Sequence, residues 1–225
     1  MKKTPEAPPE DVRLAQELEE VSARKEQLER ENERLMRVAV EAKQEAEAAQ
    51  IRVEELTRSC ERDSLTDTPN RTLMLDRLNG AIALAKRQST RFALMFLDLD
   101  NLKAINDAQG HAIGDEALKL VARRLEGLVR ESDTVSRHGG DEFLVLLADV
   151  DLPMNVSMIA SKMIETLGEP GHFESCVLNL SVSIGVAIYP EDGADAQTLI
   201  DLADAAMYRS KRRSPGGYEF HNSDG

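Results

Sequence analysis

From Leu14 to Cys60, apolar or small residues return at alternating steps of four and three without a break, and no other feature limits the fold as strongly. A 3.5-residue repeat held over that length makes a helix whose apolar seam has to be covered by another helix. With Leu14 at a d position, the d series is Leu14, Val21, Leu28, Leu35, Ala42, Ala49 and Leu56, and the a series is Leu18, Lys25, Asn32, Ala39, Ala46, Val53 and Cys60. Polar residues at a, here Lys25 and Asn32, cost stability but fix register and favour two parallel strands. The repeat therefore predicts a coiled-coil dimerisation helix over residues 14–62, about 70 Å long at about 1.5 Å per residue, in a parallel homodimer. A single solvated helix rich in Glu, Lys and Arg is the competing expectation. The Ala-rich stretch Ala39–Ala49 packs weakly and is where the tightness of the seam changes. Cys60 would face its twin in such a dimer, with a small core residue as its default role. Residues 1–13 are expected to be a disordered segment, without the apolar stretch of a signal peptide.

Composition narrows the chemistry. No apolar run approaches the roughly 18–20 residues of a membrane span, so a soluble, cytoplasmic protein is expected. Two cysteines, Cys60 and Cys176, are too few for a disulfide framework and lack zinc-ligand spacing. Any metal would have to be held by oxygen. The net charge is −13, with 12 Lys and Arg against 16 Asp and Glu up to residue 62, and 16 against 25 beyond it. Both parts being acidic excludes general nucleic-acid binding through a basic face. A phosphorylated substrate remains compatible if a divalent cation accompanies it.

Beyond Asp63 the pattern changes to that of a globular domain, assigned to residues 63–225 with a short C-terminal tail. SLTDTPNR carries a Pro-Asn turn signal, and Thr72–Arg87 has apolar residues at helical spacing. Phe92–Leu97 reads as a buried strand running into Asp98-Leu99-Asp100. Glu116–Val129 reads as a helix, Thr134–Arg137 and Phe143–Leu147 as a hairpin around Gly139-Gly140, and Met154–Leu167 as another helix. Val177–Ile188 alternates, predicting one strand with one buried face, and Thr198–Ser210 predicts a last helix. The order β-α-β-β-α-β is the ferredoxin-like arrangement, giving an α+β class with flanking helices behind the coiled coil. In that topology the third strand lies between the first two and antiparallel to the first. Asp98 and Asp100 are then expected at the same sheet edge as Asp141 and Glu142. Carboxylates gathered in this way repel unless protonated or bridged by a cation. Mg²⁺ is the first candidate and Mn²⁺ the alternative. The chain contains no Walker A, HExxH or GxSxG sequence.

Gly139-Gly140-Asp141-Glu142-Phe143 resembles the signature of the GGDEF family of diguanylate cyclases. The likeness runs over residues 63–213, through DSLTDTPNR, FLDLDNLKAIND, GHAIGD, RHGGDEF, SVSIGVA and DLADAAMYRSK. That family condenses two GTP into cyclic di-GMP with release of two pyrophosphates, on a domain related to nucleotidyl cyclases and polymerase palms. The resemblance implies Asp98, the main-chain carbonyl of Leu99 and Asp141 as metal ligands, with Glu142 beside them at the reacting centre. Either Asp141 or Glu142 takes the proton. It implies the main-chain N–H groups of Asn101, Leu102 and Lys103 together with Lys211 as phosphate binders, and Gly139-Gly140 as the turn along which backbone meets substrate. Asn106 and Asp115 match the guanine-reading pair, and a carboxylate suits guanine because it accepts from the ring N1–H and the exocyclic amine. A helix N-terminal acid is the bland alternative for Asp115.

Arg130-Glu131-Ser132-Asp133 stands in register with the family's RxxD product-inhibition motif, implying an inhibitory cyclic di-GMP site at Arg130 and Asp133. Solvated surface is the alternative. A reaction between two GTP molecules implies half a site per protomer, and a parallel stalk would hold two domains at high effective concentration. An upstream signalling partner acting on the stalk and no activating input at all are the two alternatives for control. Pro215 stands where the family often carries an arginine, leaving Arg212 and Arg213 as candidates to replace it. Asp67 and Thr68 stand where Gly and Leu are common. The competing function is a catalytically silent receptor for GTP or cyclic di-GMP acting through its coiled coil. The intact Asp98, Asp141 and Glu142 favour synthesis over it.

Overall fold

The computed structural model describes residues 10–150, 153–173 and 176–222. The chain divides into two compact units that part between Thr57 and Arg58. The heptad segment forms a single helix, α1 (Glu10–Glu61). It starts ahead of Leu14, so the last residues of the segment expected to be disordered are helical, and residues 1–9 lie outside the described residues. Leu14, Leu18, Val21, Leu28, Leu35, Val53 and Leu56 are each 49–68% exposed along α1. Fully covering a side chain of this kind is worth about 1.5–3 kcal/mol. The pairs Lys25–Glu29, Glu26–Arg30 and Lys43–Glu47 are solvent-exposed and screened, so each contributes little to stability. Met36, Val38, Val40 and Ile51 are also exposed, and the a and d positions do not account for them.

In the second unit α2 (Arg71–Gln88) starts at Asn70, whose side chain accepts from the Leu73 N–H, and stops at Ser89 in the left-handed region. There follow β1 (Phe92–Leu99), α3 (Leu102–Gln109), α4 (His111–Leu128), β2 (Thr134–Gly139), β3 (Glu142–Leu147) and α5 (Pro153–Gly168). The chain continues through β4 (Gly171–Phe173), β5 (Cys176–Leu178), β6 (Val182–Tyr189), α6 (Ala196–Arg213) and β7 (Tyr218–Phe220). The main sheet has the order β2-β3-β1-β6-β7. β1 is antiparallel to both β3 and β6, and β7 is parallel to β6. Its first four strands have the order and direction of the expected ferredoxin-like arrangement.

Both faces of the sheet are covered, which explains the continuous apolar run in β1. Ala93, Met95, Leu97 and Leu99 pack with α4 and α5, while Phe92, Leu94 and Phe96 pack with α2 and α6. The same layering corrects the reading of Val177–Ile188. That segment is not one strand, because residues 179–181 separate β5, which pairs only with β4, from β6. Nor is one face of β6 exposed, since every residue of it is buried. Gly185 and Ala187 are small because α6 lies against them, not because they face water. The helix expected from Glu116 begins at His111. α3 ahead of it spans only two turns, too few for apolar periodicity to reveal.

Candidate active site

The central, antiparallel position of β1 decides which acids meet. Asp98 lies opposite Glu142 in the β1–β3 register, and the Leu99 N–H donates to the Asp141 carbonyl at 3.2 Å. Asp98, Leu99, Asp141 and Glu142 thus gather at one sheet edge. The turn between β2 and β3 relies on Gly140 at φ +53, a conformation that strains an L side chain. From the last turn of α6, Lys211 places its ammonium on Asp98 Oδ1.

Burial lifts the Asp98 carboxyl above its ordinary value, with Lys211 opposing the shift and the Asp141 and Asp100 charges adding to it. Burial also lifts Glu142, reinforced by Asp98, Asp141 and Asp204 and opposed by Arg71. The edge therefore holds more negative charge than Lys211 offsets, in hard oxygen donors, which is the donor chemistry that suits a divalent cation. Among the described residues no group of three or more His, Cys, Asp or Glu side chains is placed to hold a metal. The oxygen donors gathered at this edge are the carboxylates of Asp98, Asp141 and Glu142 and the backbone around Leu99 and Asp141.

Asp100 departs from expectation. Its carboxylate accepts from Ser181 Oγ at 2.6 Å, Ser183 Oγ at 2.7 Å and the Gly216 N–H at 3.1 Å. It pins the end of β1 to β6 and to the turn after α6, and it takes no part in the acid cluster by direct contact. That turn contains Pro215. Of the cations proposed to replace the missing arginine, Arg213 is tied to Glu219 at 2.8 Å. Arg212 is exposed and lies over the Tyr208 ring, 5.9 Å from its centroid.

β1 passes into α3 within two residues, which puts the Asn101, Leu102 and Lys103 main-chain N–H groups at a helix start, where the field favours anions. Gly110, at φ +87, is the single residue between α3 and α4. Asn106 is half-buried near the end of α3, and Asp115 is exposed on α4. Because α4 begins at His111, Asp115 lies beyond its first turn, where a macrodipole role has faded.

Two residues that sequence reasoning assigned no role organise the turn. Arg137 donates from Nε and Nη2 to the Gly140 carbonyl at 3.0 and 2.7 Å, and from Nη1 to both Asp63 carboxylate oxygens at 3.0 and 3.2 Å. Burial pulls the Asp63 carboxyl upward, but hydrogen bonds from Thr66 and Arg137 leave it below its ordinary value. The segment following α1 is thereby bonded directly to the Gly-Gly turn. The signal available was an arginine two residues ahead of Gly139 and an aspartate opening DSLTD.

Arg130 and Asp133 lie at the other end of β3. Asp133 Oδ2 accepts from the Arg130 N–H at 2.9 Å and Oδ1 from the Ala148 N–H at 3.0 Å, while the Arg130 side chain is exposed. A six-residue strand, about 20 Å at about 3.4 Å per residue, separates this motif from the Gly-Gly turn.

Residues 60–215 match the family model described as diguanylate cyclase, GGDEF domain. The chain belongs to the GGDEF family. The bifunctional diguanylate cyclase/cyclic di-GMP phosphodiesterase MucR of Pseudomonas aeruginosa is 45% identical over 161 residues, covering 72% of this chain and 23% of MucR. An N-terminally truncated Pseudomonas aeruginosa TpbB comprising only its GGDEF domain superposes with a TM-score of 0.70 at 39% identity, covering 72% of this chain and 94% of that one. The coiled coil and GGDEF domain of Caulobacter crescentus DgcB, solved in complex with c-di-GMP, gives a TM-score of 0.75 at 26% identity, covering 83% of this chain and 98% of that one. This GGDEF chain spans less than half the length of the curated relatives it matches, 23% of MucR and 41% of TpbB. Among its described residues no helix is long and apolar enough to cross a membrane.

Proposed function

We propose that this GGDEF protein is a diguanylate cyclase that condenses two GTP into cyclic di-GMP, with each of two protomers supplying half of the reacting site. The observation that carries the reading is the pairing of Asp98 with Glu142 beside the Leu99–Asp141 backbone bond, in a domain whose signature acids are all intact. Asp98, Asp141 and the Leu99 carbonyl would hold Mg²⁺, or Mn²⁺ in its place, which when bound supplies charge stabilisation at the reacting phosphate. In each of two steps the 3′-oxygen of one GTP bonds to the α-phosphorus of the other, the α–β phosphoanhydride bond breaks, and pyrophosphate leaves. Either Asp141 or Glu142, the latter with its carboxyl lifted above its ordinary value by burial, takes the hydroxyl proton. Lys211 and the N–H groups of Asn101 to Lys103 bind phosphate oxygens. Asn106 and Asp115 select guanine. Incubation with GTP and Mg²⁺, followed by chromatography of the nucleotides, tests the reading; cyclic di-GMP and pyrophosphate in a 1:2 ratio are expected.

The exposed α1 seam supports a parallel homodimer, with an upstream partner acting on the stalk. Replacing Lys25 and Asn32 together by Ile is expected to change the oligomeric state or the turnover, because both lie at a positions where polarity selects two strands. Light scattering and the initial rate check this, and no change in either sinks it.

Arg130, exposed and held by its N–H against Asp133, supports a cyclic di-GMP inhibitory site at the far end of the sheet. Arg130→Ala is expected to raise the plateau of product several-fold while leaving the early rate intact. An identical plateau counts against the site.

A further inference from the structure

We propose that Gly114 is a specificity-positioning residue: its lack of a side chain lets the Asn106 amide lie over α4 at the residue preceding Asp115, so that the two read guanine as one unit. This rests on the reading of Asn106 and Asp115 as the guanine pair. The geometry starts at Gly110, whose left-handed φ of +87 turns α4 back against α3. The Gly110 N–H donates to the Asn106 carbonyl at 2.8 Å, and the Gly114 N–H donates to the Gly110 carbonyl at 3.3 Å. Asn106 and Gly114 therefore face each other across a one-residue connection, with Gly114 buried.

A Cβ on Gly114 would lie 1.9 Å from Asn106 Oδ1, 2.9 Å from its Cγ and 3.4 Å from its Nδ2. The first two distances are too short for atoms to coexist. The three nearest atoms all belong to the Asn106 side chain, so a methyl group is accommodated by turning that side chain away and not by separating the helices. Fold and recognition are thereby separable at this position. Gly127, in the same helix, has nothing within 4 Å of an added Cβ and serves as the control.

The guanine base presents a 2-amino group that hypoxanthine lacks, and an amide oxygen beside a carboxylate is suited to accept from it. The test measures binding of the α,β-methylene analogues of GTP and ITP to the full chain with Mg²⁺ by calorimetry, alongside melting temperatures. The native protein is expected to prefer the guanine analogue by about tenfold, the worth of one hydrogen bond. Asn106→Ala and Gly114→Ala are each expected to reduce that preference by the same factor, the remainder being Asp115's, with the double variant no worse than either. Gly127→Ala is expected to retain it. If Asn106→Ala lowers the preference while Gly114→Ala keeps it, or if the two losses multiply, the positioning role is overturned. If Asn106→Ala keeps the preference, the guanine reading itself fails and takes the positioning role with it. Should Gly114→Ala fail to fold, restored folding in the double variant supports the contact with Asn106, and failure to restore it overturns the proposal.

Discussion

Asp141→Ala is expected to lower cyclic di-GMP formation by at least about 10³-fold, the several kcal/mol that charge stabilisation at a reacting phosphate contributes at about 1.4 kcal/mol per factor of ten. The magnitude follows from the small donor set. With two carboxylates and one carbonyl, losing Asp141 removes half the formal charge that would hold the cation. The variant is not expected to melt earlier, because Asp141 supports the fold through its main-chain carbonyl, which accepts from the Leu99 N–H and survives the substitution. Its carboxylate repels Asp98 and Glu142, so removing it relieves strain in the folded protein, as is common where function opposes stability. Chromatography of GTP reactions, on protein stripped of bound nucleotide, checks the first expectation, and thermal unfolding checks the second. Product from Asp141→Ala at the native rate would refute the ligand role. Absence of product from both proteins would favour a silent receptor and turn attention to Pro215.

The meeting of the acids at one edge was legible in the sequence because topology alone brings it about. Once the segments around Phe92–Leu97, Thr134–Arg137 and Phe143–Leu147 are read as strands with the third between the other two, Asp98 has to meet Glu142. What was not legible is the direction in which each acid turns. Asp98 and Asp100 are equivalent in a period-two pattern, yet Ser181, Ser183 and the Gly216 N–H claim Asp100. Those donors lie about 80 and about 115 residues away in the chain, beyond any local pattern. Arg137 escaped for the same reason, since its partner Asp63 is 74 residues distant. The helical state of α1 was legible because its apolar repeat gives the same signal many times. α3 carries too few turns to repeat anything. In Val177–Ile188 the alternation was real but misread, because a small residue opposite an apolar one signals water in one setting and a close-packed helix in another.

Gly185 shows that difference most sharply, and Gly185→Ala is expected to destabilise the domain by at least about 3 kcal/mol, at the upper end of overpacking costs. An added Cβ would lie 2.0 Å from the Ala203 carbonyl oxygen, 2.1 Å from the Met207 nitrogen and 2.8 Å from the Met207 Cα. All three are backbone atoms of α6, so no side-chain rotation relieves the clash, in contrast to Gly114. α6 would have to lift from β6 by more than an ångström, loosening its own buried residues Leu199, Ala203 and Met207 and shifting Lys211 away from Asp98. The melting temperature is expected to fall by about 10 °C, given about 2–4 °C per kcal/mol for a domain of this size. Gly80→Ala in α2, where an added Cβ has no neighbour within 4 Å, is expected to leave the melting temperature unchanged or raise it slightly, because alanine favours helix. Thermal unfolding followed by circular dichroism separates the two. A Gly185→Ala protein melting with the native one would mean that α6 does not lie on β6 at backbone contact. The placement of Lys211 at the acid edge would then lose its structural basis.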